Sequence, residues 1–137
     1  MISKQQILQK IENSKIIVIV RTNSEETAYK ASVACIEGGL DSIEITMNTP
    51  NAPNIISQLS KKYPHITLGA GTVINTDLAK KAIEAGAKFI VLPNTDEAVI
   101  NYCRQQSVVV MPGALTPTEI AQAHAFGADV VKVFPVD

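Results

Sequence analysis

The chain reads as an α/β fold, a (β/α)8 TIM barrel of which it supplies about six strand-and-helix units, and three observations lead there. Runs rich in Val and Ile alternate with helix-like runs of about ten residues. Glycine closes the helix-like part of three units, at Gly39, Gly86 and Gly127, and each time a short junction and an apolar run follow. The units are short and even, and no glycine-rich dinucleotide fingerprint accompanies them.

In chain order, the strand-like runs are 16–20, 42–45, 67–70, 89–92, 108–111 and 130–134. Helical patterns fall between them, over 25–37, 52–62, 77–85, 96–105 and 117–126. Ser24, Thr76, Thr95 and Thr116 stand where a hydroxyl would cap a helix start, and Pro117 suits a first helical position. The recurring glycines sit just past helix ends, where a left-handed backbone carries no Cβ penalty.

Strands joined through helices run parallel, with helices covering the sheet, and two architectures satisfy that: an open doubly wound sheet or a closed barrel. "GAGTV" (69–73) lacks the third glycine of a phosphate-cradling dinucleotide loop, and the short even units favour the barrel. The expectation is one TIM-barrel domain over residues 1–137 that lacks its C-terminal strands. The loops after those strands commonly bind phosphate, so no phosphate site is expected within these residues.

Composition narrows the function classes. Twelve Lys and Arg against 13 Asp and Glu give a formal net charge of −1, without a block of like charge, so neither nucleic acid nor an anionic membrane is an expected partner. The longest apolar stretch, 16–20, is far short of the ~20 residues that cross a bilayer. "MISKQQILQKIENSK" mixes charged and amide residues where a secretory signal needs a continuous apolar segment, so a cytoplasmic location is expected. Cys35 and Cys103 are isolated and read as buried thiols. His65 and His124 lack a second ligand at a helical interval, so no metal is expected.

The informative residues are polar ones inside strands. Alternate strand side chains point to opposite faces. Ile43 and Ile45 therefore share one face, while Ser42, Glu44 and Thr46 share the other. On the last strand Val131 and Val133 pair off, which leaves Lys132 with Val130 and Phe134. Under one convention for both strands, Glu44 and Lys132 face a common interior.

Burying a lone ammonium or carboxylate costs several kcal/mol, so the two charges are read together, either as a structural ion pair or as chemistry. Arg21, Asn48 and Thr72 lie at or beyond the carboxyl ends of their strands, the end at which barrels of this class build active sites. That clustering favours chemistry. An arginine suits an anionic substrate.

An amine attacks a carbonyl only in its neutral form, and free lysine, with a pKa of about 10.4, is almost wholly protonated near neutrality. Desolvation by Val130 and Phe134, together with a nearby cation such as Arg21, would favour the neutral amine at Lys132. Glu44 suits proton transfer.

The segments "IEITMNT", "GAGTV", "FIVLPN" and "VVKVFP", in this order and at these separations, resemble the 2-keto-3-deoxy-6-phosphogluconate aldolase and 4-hydroxy-2-oxoglutarate aldolase family. The likeness runs from Ile16 onward. It implies a class I aldolase on a (β/α)8 barrel, commonly a homotrimer, without metal or cofactor. Carried over, Lys132 resembles the Schiff-base lysine and Glu44 the general acid/base. Thr72 resembles the residue that contacts pyruvate, and Arg21 the arginine that binds the anionic substrate.

The implied reaction cleaves a 2-keto-3-deoxy-6-phospho sugar acid, or 4-hydroxy-2-oxoglutarate, to pyruvate and an aldehyde. Asn48 stands where the phosphogluconate branch typically has arginine, whereas the phosphogalactonate branch has asparagine in an "NSP" context resembling "NTP" here. His124, Met47 and Phe126 are candidates for a trimer contact, beside ordinary core or surface roles. Two competing readings are another phosphate-binding barrel enzyme and a catalytically silent fragment that acts in assembly or regulation.

Overall fold

The computed structural model describes residues 2–136. In chain order the elements are α1 (Lys4–Ser14), β1 (Val18–Val20), α2 (Glu25–Glu37), β2 (Ser42–Thr46), α3 (Ala52–Lys62), β3 (Thr67–Gly71) and α4 (Thr76–Ala85). There follow β4 (Phe89–Val91), α5 (Glu97–Gln105), β5 (Val109–Met111), β6 (Gly113–Ala114), α6 (Pro117–Phe126) and β7 (Lys132–Val133). Strands β1 to β5 pair side by side in sequence order, all parallel.

The expected fifth strand is split. Pro112, which has no N–H to donate, interrupts the ladder between β5 and β6. The last strand bridges the break: Asp129 N donates to Val110 O at 3.1 Å, Lys132 N to Pro112 O at 2.9 Å and Phe134 N to Ala114 O at 3.1 Å. Six strand positions thus follow one another around a partial barrel, with β1 and β7 as the two edges among the described residues.

Both faces of β2 to β5 are buried, as parallel sheets require, whereas the edge strands leave Ile19 and Val133 exposed. Ile43, Ile45, Leu68, Ala70, Ile90 and Val110 point outward and pack under the helices, against Ala28, Ile55, Leu59, Ala82 and Ile100 among others. Phe89, Val91, Val109 and Met111 point inward and form a second cluster. The period-2 alternation of β4 and β5 is what separates the two.

The inner cluster is completed by a helix that sequence reading did not assign. Ser3 and Gln6 form a reciprocal capping box at the start of α1, with Ser3 Oγ accepting from Gln6 N at 3.2 Å and Ser3 N donating to Gln6 Oε1 at 2.8 Å. The helix buries Ile7 among the four inward residues of β4 and β5, with Leu8 and Ile11 beside it. Its polar composition hid a short apolar stripe at Ile7, Leu8 and Ile11.

Smaller corrections concern ends and exposure. Ser24 and Thr116 cap α2 and α6 as expected, but α4 is capped by Asn75 and α5 by Asp96, not by Thr76 and Thr95. Asn and Asp are stronger caps than Thr, and the Thr95 hydroxyl instead donates to Gly113 O at 3.1 Å. Gly86 and Gly127 end α4 and α6 at φ of 113° and 92°. Cys103 is buried, and desolvation pushes its thiol up to about 12, whereas Cys35 is only half-buried. Among the described residues no helix is long and apolar enough to cross a membrane.

Ile7→Ala is expected to destabilise the fold by about 2–5 kcal/mol, because it empties the contact between α1 and the barrel interior. Gln5→Ala, on the exposed side of the same helix, should stay within about 0.5 kcal/mol of the parent in urea unfolding.

Candidate active site

Strand β2 carries its apolar residues outward, where Ile43 and Ile45 are fully buried under helices, and so points Glu44 inward. Across the ladder Glu44 lies opposite Ile19 on β1 and Gly69 on β3. The carboxylate, on a residue only 3% exposed, faces a cavity of about 230 Å³ lined by Ile17, Ile19, Glu44, Val91, Met111 and Lys132. The expectation that Glu44 and Lys132 share one interior therefore holds, although they come from β2 and β7.

The pair is not a closed ion pair: the ion pairs among the described residues join Lys4 to Asp129, Lys30 to Glu26 and Lys80 to Glu84. Burial raises the Glu44 carboxyl above its ordinary value of 4.5, and the Lys132 and Arg21 cations pull in the opposite direction without cancelling the effect. Glu44 is thus poised to hold a proton more readily than a solvent-exposed glutamate.

Lys132 is half-buried, and its Nζ sits 4.6 Å from the centre of the Phe134 ring. The expected desolvation by Val130 and Phe134 is only partial, since these residues are 39% and 38% exposed at a sheet edge. Phe134 meets the amine with its ring face, a contact that attracts the ammonium form rather than the neutral one.

Arg21 and Thr72 are brought together just beyond β1 and β3, where Arg21 Nη2 donates to Thr72 Oγ1 at 3.1 Å. Thr72 holds a left-handed backbone at φ 57°, a conformation that strains a β-branched residue by about 1–3 kcal/mol. Asn48 occupies the turn after β2 and is exposed, with no side-chain hydrogen bond among the described residues. Buried threonines pin that turn: Thr49 N donates to Thr46 O at 2.9 Å, their hydroxyls lie 3.1 Å apart, and Thr22 N reaches Thr49 Oγ1 at 3.4 Å.

Ile17, Ile19 and Gly71 escaped sequence reading. Ile17 and Ile19 wall the cavity from the β1 edge. Gly71, noticed only as part of "GAGTV", lies beneath the Glu44 carboxylate, and a Cβ there would fall on it. The available signal was the spacing of Gly69 and Gly71, which share the inward face of β3.

A profile of the KDPG and KHG aldolase family matches residues 7–137. The 2-dehydro-3-deoxy-phosphogluconate aldolase of Treponema pallidum is 34% identical over 96% of this chain and 62% of its own length. A probable 2-dehydro-3-deoxy-6-phosphogalactonate aldolase of Rhizobium meliloti is 37% identical over 88% of the chain and 57% of its own. The crystal structure of the 2-keto-3-deoxy-6-phosphogluconate aldolase of Zymomonas mobilis ZM4 with 3-phosphoglycerate superposes with a TM-score of 0.85 at 26% identity, over 97% of this chain and 63% of that one. The chain spans less than two thirds of the length of each of these relatives. With its parallel α/β architecture and a family match over nearly its whole length, the chain belongs to the KDPG and KHG aldolase family.

Proposed function

We propose that this chain performs the imine chemistry of a class I aldolase, cleaving a 2-keto-3-deoxy-6-phospho sugar acid or 4-hydroxy-2-oxoglutarate to pyruvate and an aldehyde. The observation that carries the reading is that Glu44 and Lys132 line one cavity without neutralising each other in a direct ion pair. A structural ion pair would close that gap, whereas a keto acid needs it open.

Neutral Lys132 Nζ adds to the C2 carbonyl, and the carbinolamine takes up a proton from solvent on its hydroxyl and loses water to give a protonated imine. Glu44 takes the C4 hydroxyl proton, the C3–C4 bond breaks, and its electron pair moves into the imine to form an enamine while the aldehyde leaves. Glu44 then returns the proton to C3, and water hydrolyses the imine to release pyruvate and the free amine. The imine is itself the electron sink, so the sequence of steps calls for no cofactor. A carboxyl held above its ordinary value fits both the uptake and the return of the proton.

Arg21, oriented by Thr72, suits the substrate carboxylate, and Thr72 itself suits the pyruvate portion. Asn48, free on its turn, suits a hydroxyl of the sugar chain, and the likeness to the Rhizobium relative supports a galactonate-type acid. A homotrimer in the cytoplasm is part of the same reading, resting on the family resemblance. For that assembly His124 is the accessible candidate contact, since Met47 and Phe126 pack on the main core.

Incubation with pyruvate and borohydride is expected to leave a reduced adduct on Lys132, detected by peptide mass spectrometry. Lys132→Ala should abolish it, and Glu44→Gln should retain it while slowing proton transfer about 10²- to 10⁴-fold. Folded parent protein without an adduct would remove the aldolase reading. An adduct without turnover of phosphorylated acids would mark a chain competent in imine formation alone.

The raised Glu44 value also has a stability consequence. The folded state binds this proton more tightly than the unfolded chain, so the associated stabilisation is complete below about pH 4.5 and is lost as pH rises through the higher folded value. Thermal melts should show Glu44→Gln gaining on the parent protein as pH rises through that window, with a constant difference above it. A difference independent of pH would show that the carboxyl is not raised.

A further inference from the structure

We propose that Gly71 is a positioning residue for Glu44: its missing side chain is the space in which the carboxylate sits. The backbone of Gly71 gives no reason for glycine, because the glycines at positive φ are Gly39, Gly86 and Gly127, whereas Gly71 is extended within β3. Glycine inside a strand lowers stability by roughly 0.5–1 kcal/mol against alanine and marks a close approach of another group. The group here is Glu44, whose carboxyl oxygen and carbon would overlap a Cβ at Gly71, with its Cγ 2.8 Å away.

The ladder register explains why the carboxylate lies there. Glu44 is directly opposite Gly69, and Gly71 is opposite Thr46, so the Glu44 side chain leans one pleat along the strand toward its carboxyl end. The space above Gly69 is taken by the Phe89 ring from β4, which a Cβ on Gly69 would strike. Phe89 therefore closes the lower position and Gly71 opens the upper one. The upper position adjoins Thr72, to which Arg21 donates, and faces the cavity that holds Lys132. Arg21 and Lys132 are the charged groups that act on the carboxyl, since β3, β4 and β5 present Gly69, Gly71, Phe89, Val91, Val109 and Met111 to this interior.

The three atoms nearest a Cβ at Gly71 all belong to the flexible Glu44 side chain, so Gly71→Ala is expected to fold with Glu44 displaced. The consequence for catalysis rests on the imine chemistry proposed above. Exchange of the pyruvate methyl protons in D2O, followed by NMR, reads proton transfer at C3, while borohydride trapping reads the adduct on Lys132. Gly71→Ala should keep the adduct and slow exchange by about a hundredfold or more, to the level of Glu44→Gln. The double variant should be no slower than either single one, because both changes act through one carboxyl. Unchanged exchange in Gly71→Ala, or losses that multiply in the double variant, would overturn the inference.

If the parent protein traps no pyruvate, the functional reading falls and the placement is decided by the Glu44 carboxyl resonance. Its titration should move toward 4.5 in Gly71→Ala as the group leaves its buried position, and an unmoved titration refutes the placement. Should Gly71→Ala fail to fold, Glu44→Ala/Gly71→Ala removes the overlap and should restore the circular dichroism of the parent. A double variant that stays unfolded refutes the inference as well.

Discussion

One constraint organises this molecule: a glutamate in the middle of a strand whose two faces are both buried. The outward face of β2 is committed to helix packing by Ile43 and Ile45, so the carboxyl at Glu44 has only the barrel interior to enter. An ionised carboxylate there costs several kcal/mol unless cations are near, and Lys132 and Arg21 are near without forming a direct ion pair with it. The result is a group whose proton is held by burial and released by charge. A general acid and base needs that balance.

The interior is layered to make the balance possible. At the amino-terminal end α1 seats Ile7 against the Phe89, Val91, Val109 and Met111 cluster, an apolar floor from which Val91 and Met111 also line the cavity. Above it come the carboxyl and the amine, and at the rim the Arg21 and Thr72 pair and the turn bearing Asn48. The strained backbone of Thr72 belongs to this rim. Strain of that kind persists where surrounding contacts over-determine it, and the contact present is the hydrogen bond from Arg21.

How much of this could be read beforehand depended on the physics behind each signal. Helices α2, α3 and α6 match the apolar period to the residue, α2 and α6 with their Ser24 and Thr116 caps, and the inward placement of Glu44 and Lys132 follows from strand alternation. Helix α1 was missed because its apolar stripe is short and its stability comes from tertiary contact through Ile7. The cap shifts to Asn75 and Asp96 are local, each side chain accepting from the N–H three residues on, and Pro112 breaks its strand by lacking an N–H. The exposure of Val130 and Phe134 depends instead on what lies across the chain. Gly71 was missed for the same reason: a glycine can be seen in a sequence, but the side chain that fills its space cannot.

The position of Lys132 depends on curvature more than on any local ladder. Ile17 and Ile19 stand at one edge of the sheet and Lys132 at the other, yet all three line the same cavity, so the six strand positions have to coil far enough for the two edges to face each other. Where β7 runs is fixed through β6, because Lys132 N bonds to Pro112 O and Gly113 pairs with Lys132. Gly113 in turn lies against the Pro93 carbonyl, where a Cβ would meet backbone rather than a yielding side chain. The two glycines therefore set Glu44 and Lys132 by different means. Gly71 leaves room for a carboxylate that can move, whereas Gly113 lets two stretches of main chain close on each other and so fixes the strand that carries the amine.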